Sequence, residues 1–180
     1  QMSLMPYYFK KALGRKGSKL NDVLIAELGL ANTFFWTAFI IYDDFWDEDE
    51  KAAPCLLPVA NFLARSYINY FNKVLSTNNQ FTNFSTNLMD KLDSANTWET
   101  LHCRTKVENN LFYIPKRLPN YLDYTKKFEP ASGHILGCIA LMTKLGYEIN
   151  SKEINNLVSY FKNYLIAMQI NDDAHDLQEY

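Results

Sequence analysis

With 180 residues, 48% of them hydrophobic and 15% aromatic, the chain can bury one substantial core, which excludes a disordered or low-complexity protein. A net charge of −2 gives no bulk attraction to nucleic acid or to an anionic membrane surface, so no nucleic-acid partner is expected. Three cysteines, Cys55, Cys103 and Cys138, form no CxxC pair, and with no secretory pattern at the start they point to a reducing, cytoplasmic setting.

The first twenty residues carry Lys10, Lys11, Arg15, Lys16 and Lys19 and no acid. A helix is predicted from about 20 to 47. Its stretch Leu28 to Tyr42 is apolar all round and about 15 residues long, short of the roughly 20 that a membrane crossing needs. It suits the centre of a bundle, and no transmembrane segment is expected. Asp43 to Glu50 then places six acids in eight positions. Pro54 and Pro58 follow as punctuation. Helices are predicted over about 57–75 and 81–104, with the Asn-rich stretch Thr77 to Asn87 as a polar loop leading into a helix start. Shorter helices are expected near 106–114 and 117–128, another over 131–146, and a last from about 151 to the end. Asn150 with Glu153 resembles a capping box for that last helix. No hairpin turn separates alternating strands, so the fold class is all-α, with about seven or more helices.

Two segments carry chemistry. Asp43-Asp44-Phe45-Trp46-Asp47 and Asp172-Asp173-Ala174-His175-Asp176 both read DDxxD. Residues four apart in a helix share a face, with Cβ atoms about 5–6 Å apart. Asp43 and Asp47 can therefore reach one cation, and so can Asp172 and Asp176. Asp44 and Asp173 point about 100° away and suit supporting roles in the same metal sites. Carboxylate-only ligation favours hard cations, and Mg²⁺ shares its remaining positions with water and substrate phosphates. Two such faces opposed across a bundle would form a negative pocket that metal ions turn into a diphosphate receptor. An acidic cluster is usually a solvated surface. With 11 aspartates in the chain, two chance DDxxD matches are expected in about one chain in a thousand.

The motifs resemble those of the class I isoprenoid synthases, above all the trans-polyprenyl diphosphate synthases. Thr37-Ala38-Phe39-Ile40-Ile41-Tyr42-Asp43-Asp44 looks like the helix bearing the family's first aspartate motif. Gln169-Ile170-Asn171-Asp172-Asp173-Ala174-His175-Asp176 is similar to its QxxDDxxD second motif. Tyr121 and Lys127 resemble a tyrosine-to-lysine element whose lysine contacts diphosphate, with Lys126 as the neighbouring alternative. Gly14 to Lys19 faintly echoes the family's N-terminal basic element, which makes Lys16 and Lys19 candidate phosphate ligands beside Lys126, Lys127 and Gln169.

The resemblance implies a helical bundle around a central cavity, in one domain over residues 1–180 that stops short of the helices usually following the second motif. It implies a prenyl diphosphate substrate, Mg²⁺ (three ions with substrate bound) and a possible homodimer. Asp43, Asp47, Asp172, Asp176 and Lys127 would be the catalytic set. At the positions of the paired arginines of chain-elongating members stand Ala52 and Ala53. The sister branch of terpene cyclases carries a second motif of the form NDxxSxxxE, which Asn171, Asp172, His175 and Glu179 match in part. The expected activity is therefore prenyl transfer, with cyclisation by the same fold as the alternative.

Two other classes compete. A non-catalytic prenyl-binding subunit would keep the motifs without turnover. A di-iron carboxylate bundle would use Glu99 and His102 with Asp172 and His175, joined by Glu27, Asp43 and Asp47. Phe34, Phe35, Trp36, Phe39 and Phe45 read as core residues, some of them available to line an apolar channel. Trp98 and His102 could face the same cavity, and His134 reads as an ordinary core or pocket histidine.

Overall fold

The computed structural model describes residues 2–46, 53–75, 78–102, 106–108, 111–113 and 134–176. The protein is all-α in class, and six α-helices lie among the described residues rather than seven or more. The chain divides into two compact units, Gln1–Phe84 with His134–Asn155, and Ser85–Gly133 with Asn156–Tyr180.

The first unit opens with a 3₁₀ turn, Met2–Leu4, and helix α1, Met5–Ala12. No helix was expected before residue 20. Pro6 stands in its first turn, where its missing N–H costs nothing, and Lys10 and Lys11 sit in the last turn, where the helix dipole favours cations. A second 3₁₀ turn, Gly17–Lys19, leads into helix α2, Asp22–Trp46. Asn21 caps α2, its Oδ1 accepting the Leu24 N–H at 2.7 Å. Lys10 reaches across to Asp22 at 2.7 Å.

Helix α2 buries Ile25, Leu28, Ala31, Asn32, Phe35 and Ala38, a stripe with helical spacing. That stripe meets helix α3, Leu57–Val74, which buries Ala60, Tyr67, Phe71 and Val74. Aromatic rings join the two: Phe35 lies 4.8 Å from Tyr67, and Phe34 lies 5.7 Å from Tyr70. Tyr67 continues to Phe71 at 4.9 Å, and Phe71 to Phe81 at 5.8 Å. Helix α1 and the Met2–Leu4 turn cross α2 so closely that a Cβ on Gly29 would strike the Ser3 carbonyl oxygen. Gly17 is held the same way against the Lys10 carbonyl.

Helix α4, Asn79–His102, begins in the first unit and continues into the second. The Asn-rich stretch is thus mostly helix. Asn78 supplies the cap, its Oδ1 accepting the Phe81 N–H at 2.9 Å. Strands β1, Lys106–Glu108, and β2, Leu111–Tyr113, pair antiparallel with Val107 opposite Phe112. This corrects the helix expected near 106–114. The strands are rich in β-branched and aromatic residues, and the sequence between them is Asn109-Asn110, a residue type favoured in two-residue hairpin connections. The helix expected near 117–128 lies outside the described residues.

Helix α5, Leu136–Lys144, returns to the first unit and is buried continuously from Leu136 to Met142. A helix apolar all round belongs in the middle of a core, and α5 packs against both α1 and α2. Burial pushes the Cys138 thiol up to about 12. Gly146 turns the chain with φ of 91°, which only glycine adopts without strain. Helix α6, Lys152–Asp176, starts in the first unit and continues into the second. Its cap is Ser151, not Asn150: the Ser151 hydroxyl accepts the Ile154 N–H at 3.4 Å. By length and composition alone α2 could cross a membrane, and its packed stripe against α3 gives it a protein environment on that side.

Two substitutions test this packing. Leu28, with no exposed surface, should cost about 2–5 kcal/mol when cut to alanine. Gly17→Ala should cost about 1–3 kcal/mol by forcing the Gly17–Lys19 turn off α1. Urea unfolding measures both, and an unchanged midpoint for either would contradict the contact described.

Candidate functional site

The 3.6-residue period divides α2 into a packed face and an open one. Opposite the stripe on α3, Trp36 is 43% exposed and Ile40 45% exposed. Asp43 is exposed one turn beyond Ile40, and Asp44 is partly buried. At 100° per residue, Thr33, Trp36, Ile40 and Asp43 fall within an arc of about 80°. Asp47 lies outside the described residues. Trp36 is therefore not a core residue, in contrast to the sequence expectation, whereas Phe35 is buried and Phe34, Phe39 and Phe45 are partly buried.

Beside this face runs a file of rings. Phe35 contacts Phe39 at 4.4 Å, Phe39 contacts Tyr42 at 5.8 Å, and Tyr42 stacks on Trp46 at 6.1 Å. The Tyr42 hydroxyl donates to Asn61 Oδ1 at 2.6 Å, tying the turn that carries Asp43 to α3. His134 closes the lower end, edge-on to Phe35 at 4.8 Å and tilted over Trp36 at 5.2 Å. Its Nδ1 is buried with no hydrogen-bond partner among the described residues. Burial lowers its pKa to about 4, so the ring is neutral at neutral pH.

In the second motif the backbone of Asp172 to Asp176 is continuous helix, so the two residues are one turn apart on one face. The side chains of Asp172, Asp173 and Asp176 lie outside the described residues, as do Tyr121, Lys126, Lys127 and Glu179 entirely. Gln169 is partly buried, and Asn171 and His175 are exposed.

Lys16 and Lys19 lie where the sequence did not suggest. They line a recess beside the first residues of α2. Asp22 to Asp43 spans 21 helical residues, about 30 Å at 1.5 Å per residue. The basic turn and the first aspartate motif therefore stand at opposite ends of one helix, and the structure does not bring them together. Sequence reasoning also missed Lys144, which joins Lys16 and Lys19 in the recess. Only the return of α5 to this end of α2 reveals it.

The di-iron ligand set is likewise separated. Glu27 pairs with Lys73 at 3.0 Å and lies 16 helical residues from Asp43, about 24 Å. One metal centre cannot take both. His102 stacks on Trp98 at 5.5 Å, and its Nδ1–H donates to the Trp98 carbonyl at 2.8 Å. Among the described residues no three His, Cys, Asp or Glu side chains converge.

His134 makes the site sensitive to acid. Its folded pKa, about 4, is below the ordinary value of 6.5, so below pH 6.5 the unfolded chain takes up a proton that the folded protein refuses. Stability should fall as pH drops from 6.5 to 4, by at most about 3 kcal/mol because the ring keeps some solvent contact. His134→Phe should flatten that part of the profile. An unchanged slope in urea titrations between pH 6.5 and 4 would refute the assignment.

No protein-family model, no curated protein and no solved structure matches the chain.

Proposed function

We propose that the protein is a Mg²⁺-dependent class I isoprenoid synthase that ionises an allylic prenyl diphosphate, most simply for transfer to a second prenyl unit. One observation carries the reading. The exposed face of α2 places a carboxylate, Asp43, directly above an exposed apolar strip, Ile40 and Trp36. A solvated acidic surface has no need of an exposed tryptophan and isoleucine beneath it. An amphiphile with an anionic head and a hydrocarbon tail needs both, provided cations bridge head and carboxylates.

The donor set fits Mg²⁺. Each motif offers two carboxylates four residues apart and no thiolate. The position on α2 supports the same conclusion. Asp43 and Asp44 lie in the last turn of a 25-residue helix, where the helix dipole disfavours negative charge, and four more acids follow them in the sequence. Bound divalent ions would offset that penalty.

By this reading Asp43 with Asp47 on α2, and Asp172 with Asp176 on α6, would each offer a carboxylate pair to Mg²⁺, with Asp44 and Asp173 in supporting roles. Lys127, with Lys126 as its neighbour, and Gln169 serve the diphosphate by the family resemblance. Lys16 and Lys19 are left out, because the length of α2 removes them from Asp43. The ions, when bound, neutralise the diphosphate and ease its departure. Trp36 and Ile40 hold the tail and exclude water, and the ring face of Trp36 stabilises positive charge on the ionising carbon. His134 is neutral under these conditions and offers the cation no like-charge repulsion.

The test is incubation with Mg²⁺ and C5 to C20 allylic diphosphates, with and without isopentenyl diphosphate, following released diphosphate and products. Prenyl transfer gives longer diphosphates, and cyclisation gives hydrocarbons. Asp43→Asn and Asp172→Asn should each lower kcat at least about 100-fold with helical content unchanged. Trp36→Ala should cost about 10-fold in kcat/KM. Absence of turnover with every substrate, or full activity in either aspartate variant, would reject the proposal.

A further inference from the structure

At the opposite end of α2, two adjoining open recesses of about 330 and 350 Å³ share Lys19, Leu20 and Lys144. These volumes are in the range of small-molecule sites. The first recess also takes Lys16 and Tyr147, and the second takes Asn21 and Glu27.

Three lysines therefore line the first recess. The Lys19 and Lys144 side chains make no ion pair or hydrogen bond among the described residues. Lys16 is held in place, donating to the Tyr147 hydroxyl at 2.6 Å with its ammonium 5.1 Å from the ring centroid. That hydrogen bond raises its pKa, with a smaller contribution from the nearby Glu153. Of the acids nearby, Glu27 is paired with Lys73 at 3.0 Å and Asp22 with Lys10 at 2.7 Å, while Glu153 acts on Lys16, which leaves Lys19 and Lys144 as the uncompensated charges of the recess.

The backbone around the recess is shaped to keep these lysines together. Gly17 sets the turn tightly against α1, and Gly14 and Gly146 adopt φ of 56° and 91° on either side. The start of α2 adds the positive end of a 25-residue helix. Like charges gathered without partners are unfavourable, and a multiply charged anion relieves that cost. A carboxylate carries one charge, whereas a phosphate monoester carries about 1.5 to 2 near neutral pH and a diphosphate more, and either can engage several ammonium groups at once.

We propose that the recess formed by Lys16, Lys19 and Lys144 is a metal-independent binding site for a phosphate-bearing anion, separate from the aspartate-bearing end of α2. The site does not depend on the proposed catalytic reading. It uses ammonium groups rather than carboxylates, so it remains competent in EDTA, where a Mg²⁺-bridged site is silent.

Calorimetric titration of the protein in EDTA with inorganic phosphate and with inorganic diphosphate tests this site. Flotation with vesicles of neutral phosphatidylcholine, with and without phosphatidic acid, tests a lipid phosphate monoester as the source of the phosphate. Saturable binding of a soluble anion, or of anionic vesicles only, is expected. Lys19→Glu with Lys144→Glu should weaken it at least tenfold, and Asp43→Asn should leave it unchanged. Both lysines are exposed, so helical content should stay that of the parent. Lysine-dependent binding of diphosphate identifies a soluble ligand, and lysine-dependent flotation without diphosphate competition identifies a headgroup. No binding in EDTA, or binding indifferent to both lysines, overturns the proposal.

Discussion

Packing of α2 against α3 is the interaction on which the rest of the first unit depends. A 25-residue helix that is apolar on every side must place most of that surface somewhere, and α3 takes one stripe of it through Phe35, Tyr67 and Phe71. Once Leu28, Ala31, Phe35 and Ala38 are turned inward, the 100° step of the helix leaves Trp36, Ile40 and Asp43 outward. Orientation of the proposed catalytic face is thus a consequence of core packing. The hydrogen bond from Tyr42 to Asn61 locks the same rotation at the acidic end.

The length of α2 then separates its charges. Cations gather at the end where the helix begins, and acids at the end where it finishes. Only the acidic end opposes the helix dipole, which stabilises anions at the start, where Asp22 stands, and cations at the finish. The two proposed ligands are accordingly of opposite charge: divalent metal at the acidic end, phosphate at the basic one.

His134 links the two themes of burial and charge. Enclosure among Phe35 and Trp36 keeps its ring neutral, so the wall beneath Asp43 stays apolar at neutral pH. Its Nδ1, without a hydrogen-bond partner among the described residues, remains a polar point in an otherwise hydrocarbon surface.

Much of this was readable from residue order. Helical period and proline placement located α2, α3 and α4 to within about two residues at each end, because local propensity and burial agree there. The aspartate pairs were visible because a four-residue spacing has one meaning in a helix. Helix α1 was missed because eight residues make only about two turns, too few to establish a period. The hairpin at 106–113 was missed because three-residue strands are too short to show a period. Placement of Trp36 on an open face, enclosure of His134, and the meeting of Lys144 with Lys16 and Lys19 had no sequence signature at all. Each depends on which elements pack together, across about thirty residues of chain for Trp36 and about a hundred or more for His134 and Lys144, and contacts at such separations follow from the packed core, not from the order of neighbouring residues.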